Sequence, residues 1–276
     1  MALSVSKQRI RELIIAYAIV ILSLIFFIYP IFQFLLTSLK PTRGLLWSFW
    51  PESFTLRNYF DVFFTTDFER ALLNSLYIAG MATVIVVIIG ILAAYAMSSY
   101  TFSKREDIAF FILSLYILPP IVTIIPVWKM AQTIGFLDQG WFLSLVYAFF
   151  NLPLTVWLIR NFFQTVPKEL EDAALVDGCS KLEALFRVIL PITTPGIAVS
   201  AIFAFIFSWN EFLFGVVLTE VKARTVPVEI ASQVSYFIEW GKLSGMTILS
   251  VLPVLILSLF VQKYIVMGLT LGAVKE

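Results

Sequence analysis

The sequence predicts an all-α membrane protein: six transmembrane helices, with a polar helix–turn–helix between the fourth and the fifth. Three observations predict it. Hydrophobic residues make up 60% of the 276-residue chain and charged residues 13%, where soluble domains run at roughly 45–50% and 25%; the mean hydropathy is +0.94. Apolar runs fall near 13–36, 72–97, 108–131, 141–163, 195–219 and 244–267, each long enough to cross a bilayer as a helix, which takes about 20 residues. Between the fourth and fifth runs, residues 168–191 carry eight charges, far more than any span tolerates. Run length and the lack of period-2 alternation exclude a membrane β-barrel. The whole of 1–276 reads as a single transmembrane domain.

Composition excludes several classes of function. The net charge of +1 gives no nucleic-acid surface. There is one cysteine, Cys179, and no histidine, so an internal disulfide, histidine acid–base chemistry and histidine metal ligation are excluded. Neither GxxxxGK[ST] nor GxGxxG occurs, so the chain shows no recognisable nucleotide site.

The first run follows Lys7, Arg9 and Arg11. It is too long for a signal-peptide core and no A-x-A site follows, so it reads as an uncleaved span. Six spans put both termini on one side. With that side cytoplasmic, the inside segments 1–12, 98–107, 160–194 and the tail hold 11 of the 19 basic residues, a modest positive-inside bias. Two sizeable loops, about 37–71 and 220–243, then lie outside. Trp47, Trp50, Tyr59 and Phe60 in the first suit an interfacial aromatic belt. Tyr236, Phe237 and Trp240 in the second have two readings: stacking on sugar faces, or anchoring the loop.

Prolines interrupt the spans at Pro119, Pro120, Pro126, Pro153 and Pro253. Such breaks are tolerated where neighbouring helices or a cavity satisfy the freed carbonyls. "YILPPIVTIIP", with Tyr116 and Pro119, is therefore a candidate pathway-lining segment, or equally a packing kink. In the fifth run, Asn210-Glu211 places a carboxylate in a span. That costs about 2.5–3.5 kcal/mol on insertion scales, so such a group faces a cavity or a partner. A transport pathway, a contact between membrane subunits and a structural hydrogen bond between helices are all open readings.

The polar segment is built as two short amphipathic helices. Pro167 suits a first-turn position, and Glu169, Glu171 and Asp172 favour a helix N-terminus. Gly178 is a natural residue just past the first helix. Ser180 and Glu183 make a capping box for a second, with Leu182, Leu185, Phe186 and Ile189 on one stripe and Pro191 as its stop. Five acids and three bases give the segment a net charge of −2. An anionic inner leaflet attracts basic helices, so a protein partner is the better reading than a helix lying on lipid.

"ELEDAALVDGCSKLEALFRVILP" resembles the cytoplasmic EAA loop of ABC-importer permeases, E-A-A-x-x-x-G followed after nine residues by I-x-L-P. Glu171, Ala173, Ala174, Gly178 and Val188-Ile189-Leu190-Pro191 carry the match. Asp172, between glutamate and alanines, and Val188, for isoleucine, depart from it. "LLNSLYIA", "SWNEFLF", "RTVPV" and "GLTLGAVKE" are similar to the carbohydrate, maltose-type branch.

The resemblance implies the type I ABC-importer permease fold in a prokaryotic plasma membrane. It implies a transport subunit without an ATPase site of its own. The partners would be a second permease, two ATPase subunits that bind the ATP and Mg, and an extracytoplasmic sugar-binding protein. The chain itself needs no cofactor. It also implies ATPase coupling by the loop at about 165–193, through Glu171, Ala173, Ala174, Asp177, Gly178 and Leu182, with Glu171 pairing with a base of the ATPase. Tyr116, Pro119, Asn210 and Glu211 would line the pathway, and Tyr236, Phe237 and Trp240 would meet the binding protein or its sugar. The rival is a stand-alone secondary transporter or channel. It would need ionisable residues deep in several spans, whereas only Glu211 lies clearly inside one, and no inverted repeat is evident.

Overall fold

Backbone N–H and C=O groups inside a bilayer find no water to bond, so an apolar run satisfies them by coiling into a helix. The computed structural model describes residues 7–41, 50–51, 53–234 and 238–273, with side chains described from Ile10 to Phe260 within these ranges and at Gln262. Among them there is no strand. Two compact units divide the chain, Met1–Asp67 with Gln233–Val251, and Phe68–Ser232 with Leu252–Glu276.

In the first unit, α1 (Lys7–Ser38) exposes apolar side chains around its whole circumference until its last turns, as a lipid-facing helix does. It is followed by α2 (Arg57–Thr65). Asn58, 2% exposed, donates from Nδ2 to the carbonyls of Ser38 and Lys40, each at 2.8 Å. The hydroxyls of Tyr59 and Ser38 lie 2.7 Å apart. The two Asn58 bonds satisfy carbonyls left open at and just beyond the end of α1.

The second unit is built on α3 (Phe68–Ser99), α6 (Gly140–Phe163) and α9 (Leu190–Trp209), which pack on one another. On α3, Ala71, Ser75, Ala79, Ala82, Val86, Gly90 and Ala94 recur at helical spacing and are all buried. Small residues let helix backbones approach closely where lipid removes any hydrophobic drive to associate. Against this stripe, Leu143, Val146 and Tyr147 of α6 and Ala204 of α9 complete the core.

Between α3 and α6 run α4 (Arg105–Leu115) and α5 (Pro120–Ile134), bent by 81° at their junction. Counted as one crossing, this pair joins five other candidate spans among the described residues, Ile10–Ser38, Phe68–Ser99, Gly140–Phe163, Lys181–Trp209 and Trp240–Phe260. The bend has a local cause. A proline holds the residue before it out of the helical region, and Pro119 is extended (φ −62°, ψ 125°) ahead of Pro120. Pro120 starts α5, where its missing N–H is no loss.

The remaining elements are α7 (Lys168–Val176), α8 (Lys181–Ala184), α10 (Leu213–Leu218), α11 (Val226–Ser232) and α12 (Trp240–Ala273). The fifth predicted span, 195–219, is corrected at both ends. Its helix already begins at Lys181, and it breaks before α10 at residues 210–212.

At Gly196, where α9 crosses α6, an added Cβ would fall 2.0 Å from Cγ of Phe162. Gly196→Ala is expected to destabilise the purified chain, since overpacking costs about 1–3 kcal/mol. Phe162→Leu in the same chain should recover part of the loss. Thermal unfolding in detergent is the measurement, and an unchanged midpoint for Gly196→Ala would contradict the close approach.

Candidate functional site

The hairpin is assembled by local rules. Pro167 (φ −58°, ψ 132°) precedes α7, with Glu169 and Glu171 in its first turn. After Asp177 the chain reverses at Gly178, whose φ of +89° falls where a side chain would be strained. Cys179 N–H then bonds to the Ala174 carbonyl at 3.0 Å, closing α7. Ser180 starts α8: its hydroxyl accepts from Glu183 N–H at 3.3 Å, and the Glu183 carboxylate accepts from Ser180 N–H at 2.8 Å.

Pro191 was expected to end this second helix, and it does not. α8 passes through one wide π-helical turn, Leu185–Ile189, directly into α9. In that turn Leu190 N–H bonds to the Leu185 carbonyl, five residues back. The widened turn makes room for the proline ring that a normal helix would clash with. The predicted apolar stripe also divides: Leu185 and Ile189 are buried, whereas Leu182 and Phe186 are exposed.

The buried side of the hairpin holds it to the bundle. Leu185 and Ile189 form one apolar cluster with Ala94 and Tyr95 of α3 and with Ile159 and Phe163 of α6. Glu171 was expected to point at a partner. Its carboxylate instead accepts from the Tyr95 hydroxyl at 2.7 Å and the Ser99 hydroxyl at 2.9 Å. The Lys181 ammonium sits 3.8 Å from the Tyr100 ring centroid, a cation–π contact. Asp172, Ala173, Asp177 and Gly178 are exposed, as are Leu170, Val176 and Leu182, while Ala174 is buried.

A partly open cavity of about 520 Å³ is lined by Tyr116, Pro120 and Thr123 around the α4–α5 bend and by Tyr147, Asn151, Phe207 and Glu211. Of the four expected pathway residues, Tyr116 and Glu211 therefore line the same cavity. Pro119 sits at the bend and Asn210 ends α9, and neither lines the cavity.

Glu211 finds its partners in its own segment. Its carboxylate accepts from the N–H groups of Leu213, Phe214 and Gly215, at 2.9 to 3.2 Å. A short helix thus offers its open N–H groups to a membrane carboxylate, which is favourable for both. Asn151 donates to the Ser208 hydroxyl at 3.0 Å, and the Tyr147 hydroxyl donates to the Glu211 carbonyl at 3.3 Å.

At the opposite end of the bundle from the hairpin, Asp138 adopts a φ of 57°. Its carboxylate accepts from four successive N–H groups, those of Glu220, Val221, Lys222 and Ala223, at 2.9 to 3.2 Å. Asn74 donates to the carbonyls of Lys222 and Arg224, so the loop before α11 is held from two sides. Sequence reading missed Asp138, Asn74, Tyr95 and Ser99. Asp138 had one legible signal, an aspartate in the non-helical "GFLDQG" before a helix. Trp240 is 38% exposed at the start of α12. Tyr236, Phe237 and Trp47 lie outside the described residues.

The profile of the family described as binding-protein-dependent transport system inner membrane component matches residues 86–269. The chain belongs to this family. Its relatives include the trehalose/maltose transport system permease protein MalG of Thermococcus litoralis, 38% identical over 226 residues, covering 80% of this chain and 81% of that one. The trehalose transport system permease protein SugB of Mycobacterium tuberculosis is 36% identical over 251 residues, covering 89% and 92%. A chain from the crystal structure of a bacterial ABC transporter involved in alginate import superposes with a TM-score of 0.80 at 21% identity, covering 94% of this chain and 98% of that one. The two share a fold. The polar hairpin and the proline-bent crossing are thus parts of a transporter permease.

In the permease, burial alone would raise the Asp138 carboxyl, but the four N–H donors outweigh it and hold the group below its ordinary value of 3.8. A folded value below the unfolded one adds stability above pH 3.8 that is lost as pH falls from there through the folded value. Asp138→Asn is therefore expected to be less stable than wild type at about pH 7, with a smaller gap at about pH 3. Thermal unfolding at both pH values is the check; a gap that does not change with pH would contradict this role.

Proposed function

We propose that the permease forms one half of the membrane pathway of an ATP-driven, binding-protein-dependent carbohydrate importer, and that both of its compact units act as one permease domain. The hairpin carries this reading: its buried face is fixed to α3 and α6, while its exposed face offers Asp172, Asp177 and a few apolar side chains to a partner. A small acidic and apolar face of this kind suits a basic cleft. The names of the relatives support a sugar as cargo.

In this reading the hairpin end faces the cytoplasm, as do both termini, in a prokaryotic plasma membrane. Two ATPase subunits bind ATP and Mg there. A second, similar permease completes the pathway, and an extracytoplasmic binding protein delivers the sugar to the opposite end. Tyr236, Phe237 and Trp240 contact that protein or its cargo. Aromatic walls with a few polar groups suit the apolar C–H faces and hydroxyls of a sugar, which assigns the cavity at Tyr116 and Glu211 to the pathway.

Two variants test the reading. An added Cβ at Gly178 meets nothing within 4 Å, so Gly178→Asp strains only the turn, by about 1–2 kcal/mol, and leaves the spans folded. It is expected to abolish co-purification of the ATPase and ATP-driven uptake while membrane abundance stays at wild-type level. Retained ATPase binding and uptake would overturn the coupling role of the hairpin. Glu211→Ala removes the cap of α10 at the cavity wall and is expected to lower sugar uptake at equal abundance. Normal uptake would reduce Glu211 to a helix cap.

A further inference from the structure

Tyr95 stands at a junction that the exposed face of the hairpin does not use. It is 4% exposed near the end of α3. Its ring packs edge-on against Phe163 of α6, with centroids 6.4 Å apart. Its hydroxyl lies 2.7 Å from the Glu171 carboxylate on α7 and 2.8 Å from the Lys181 carbonyl at the start of α8. One hydroxyl hydrogen is thus shared between acceptors on both arms of the hairpin. Ser99, one turn further along α3, donates to the other Glu171 oxygen at 2.9 Å.

The covalent path explains why such a junction matters. α8 continues into α9 through the π turn, so any displacement of the hairpin reaches α9 through the chain itself. α3 has no such connection. The short link 100–104 joins α3 to α4, and α4 leads to the bend that walls the cavity. Hairpin movement also reaches α6 through the link 164–167, and from there α4 through the Arg160–Glu106 ion pair; to reach α3 it must pass from α7 and α8 through non-covalent contacts. Tyr95 and Ser99 supply the polar, directional ones, and they grip a carboxylate, whose hydrogen bonds are the strong kind.

We infer that Tyr95, with Ser99 and Glu171, is a clasp that transmits movement of the hairpin to α3 and thereby to the α4–α5 bend at the cavity. This makes Tyr95 a positioning residue for transport and turns Glu171 from a partner contact into an internal one. The inference rests on the importer reading above. The two sides of the hairpin then differ in role. Its exposed groups take up the partner, and the groups turned to α3 pass the motion on.

The experiment is the ratio of sugar imported to ATP hydrolysed by the assembled importer in proteoliposomes, for wild type and for Tyr95→Phe, Ser99→Ala, Glu171→Gln, Glu171→Ala and the double variant Tyr95→Phe/Glu171→Ala. Tyr95→Phe keeps the ring and loses only the hydroxyl. We expect it to co-purify with the ATPase at wild-type yield, to hydrolyse ATP and to import about fivefold less sugar per ATP, within the range of typical coupling energies. Ser99→Ala should act in the same direction. Glu171→Gln, which still offers an oxygen to Tyr95, should recover much of the ratio that Glu171→Ala loses, and the double variant should be no worse than its worse parent. A merely structural role would lower yield or both activities together and leave the ratio unchanged. A wild-type ratio in Tyr95→Phe, or additive losses in the double variant, would overturn the inference. Absence of ATP-driven uptake in the wild type would instead overturn the importer reading itself.

Discussion

Every backbone polar group inside a bilayer must be satisfied by the protein, and this one constraint decides where the chain can do anything but span. A break in a helix frees N–H and C=O groups that lipid cannot bond. At three of the breaks in the helical pattern of its second unit, the freed groups or the steric conflict are dealt with locally. At the Pro119–Pro120 bend the proline lacks the N–H that would otherwise be open. At 210–212 the Glu211 carboxylate takes up the first N–H groups of α10. At Leu185–Ile189 the π turn keeps the ladder closed by bonding one residue further back.

Those three places coincide with what sets a transporter apart from a plain bundle. The bend and the Glu211 cap meet at one cavity, and the π turn joins the hairpin to α9. The straight parts do the opposite work. The small-residue stripe of α3 brings its neighbours close along its whole length, as van der Waals packing requires in lipid. Rigid helices with a few compensated breaks can move as bodies, with the shape change concentrated at the breaks.

Most of the fold was legible in the sequence because the signals are strong and local. Six apolar runs, the tandem prolines, Gly178 and the Ser180–Glu183 box each follow from short-range chemistry. Two features misled. Pro191 read as a stop because a proline blocks the ordinary helical turn, and a π turn gives no signal in composition. The 195–219 run read as one span because Asn210 and Glu211 are only two polar residues among apolar ones, and their capping role depends on what the next residues' N–H groups do.

The site was legible to a smaller extent, and Glu171 shows why. On a charged amphipathic helix, sequence pattern fixes which residues share a face, but not which face the rest of the chain covers. Glu171 and Asp172 are neighbours in sequence and alike in chemistry, yet one is bonded to Tyr95 and Ser99 and the other is exposed. The residue that decides between them, Tyr95, lies 76 positions earlier, in a run read only as a span. A tyrosine near the end of an apolar run is ordinarily an interface anchor; here burial turns its hydroxyl inward, and a buried hydroxyl needs a partner. The hairpin supplies that partner, so the anchoring of the spans and the seating of the hairpin are one interaction, and neither can be placed from its own stretch of sequence.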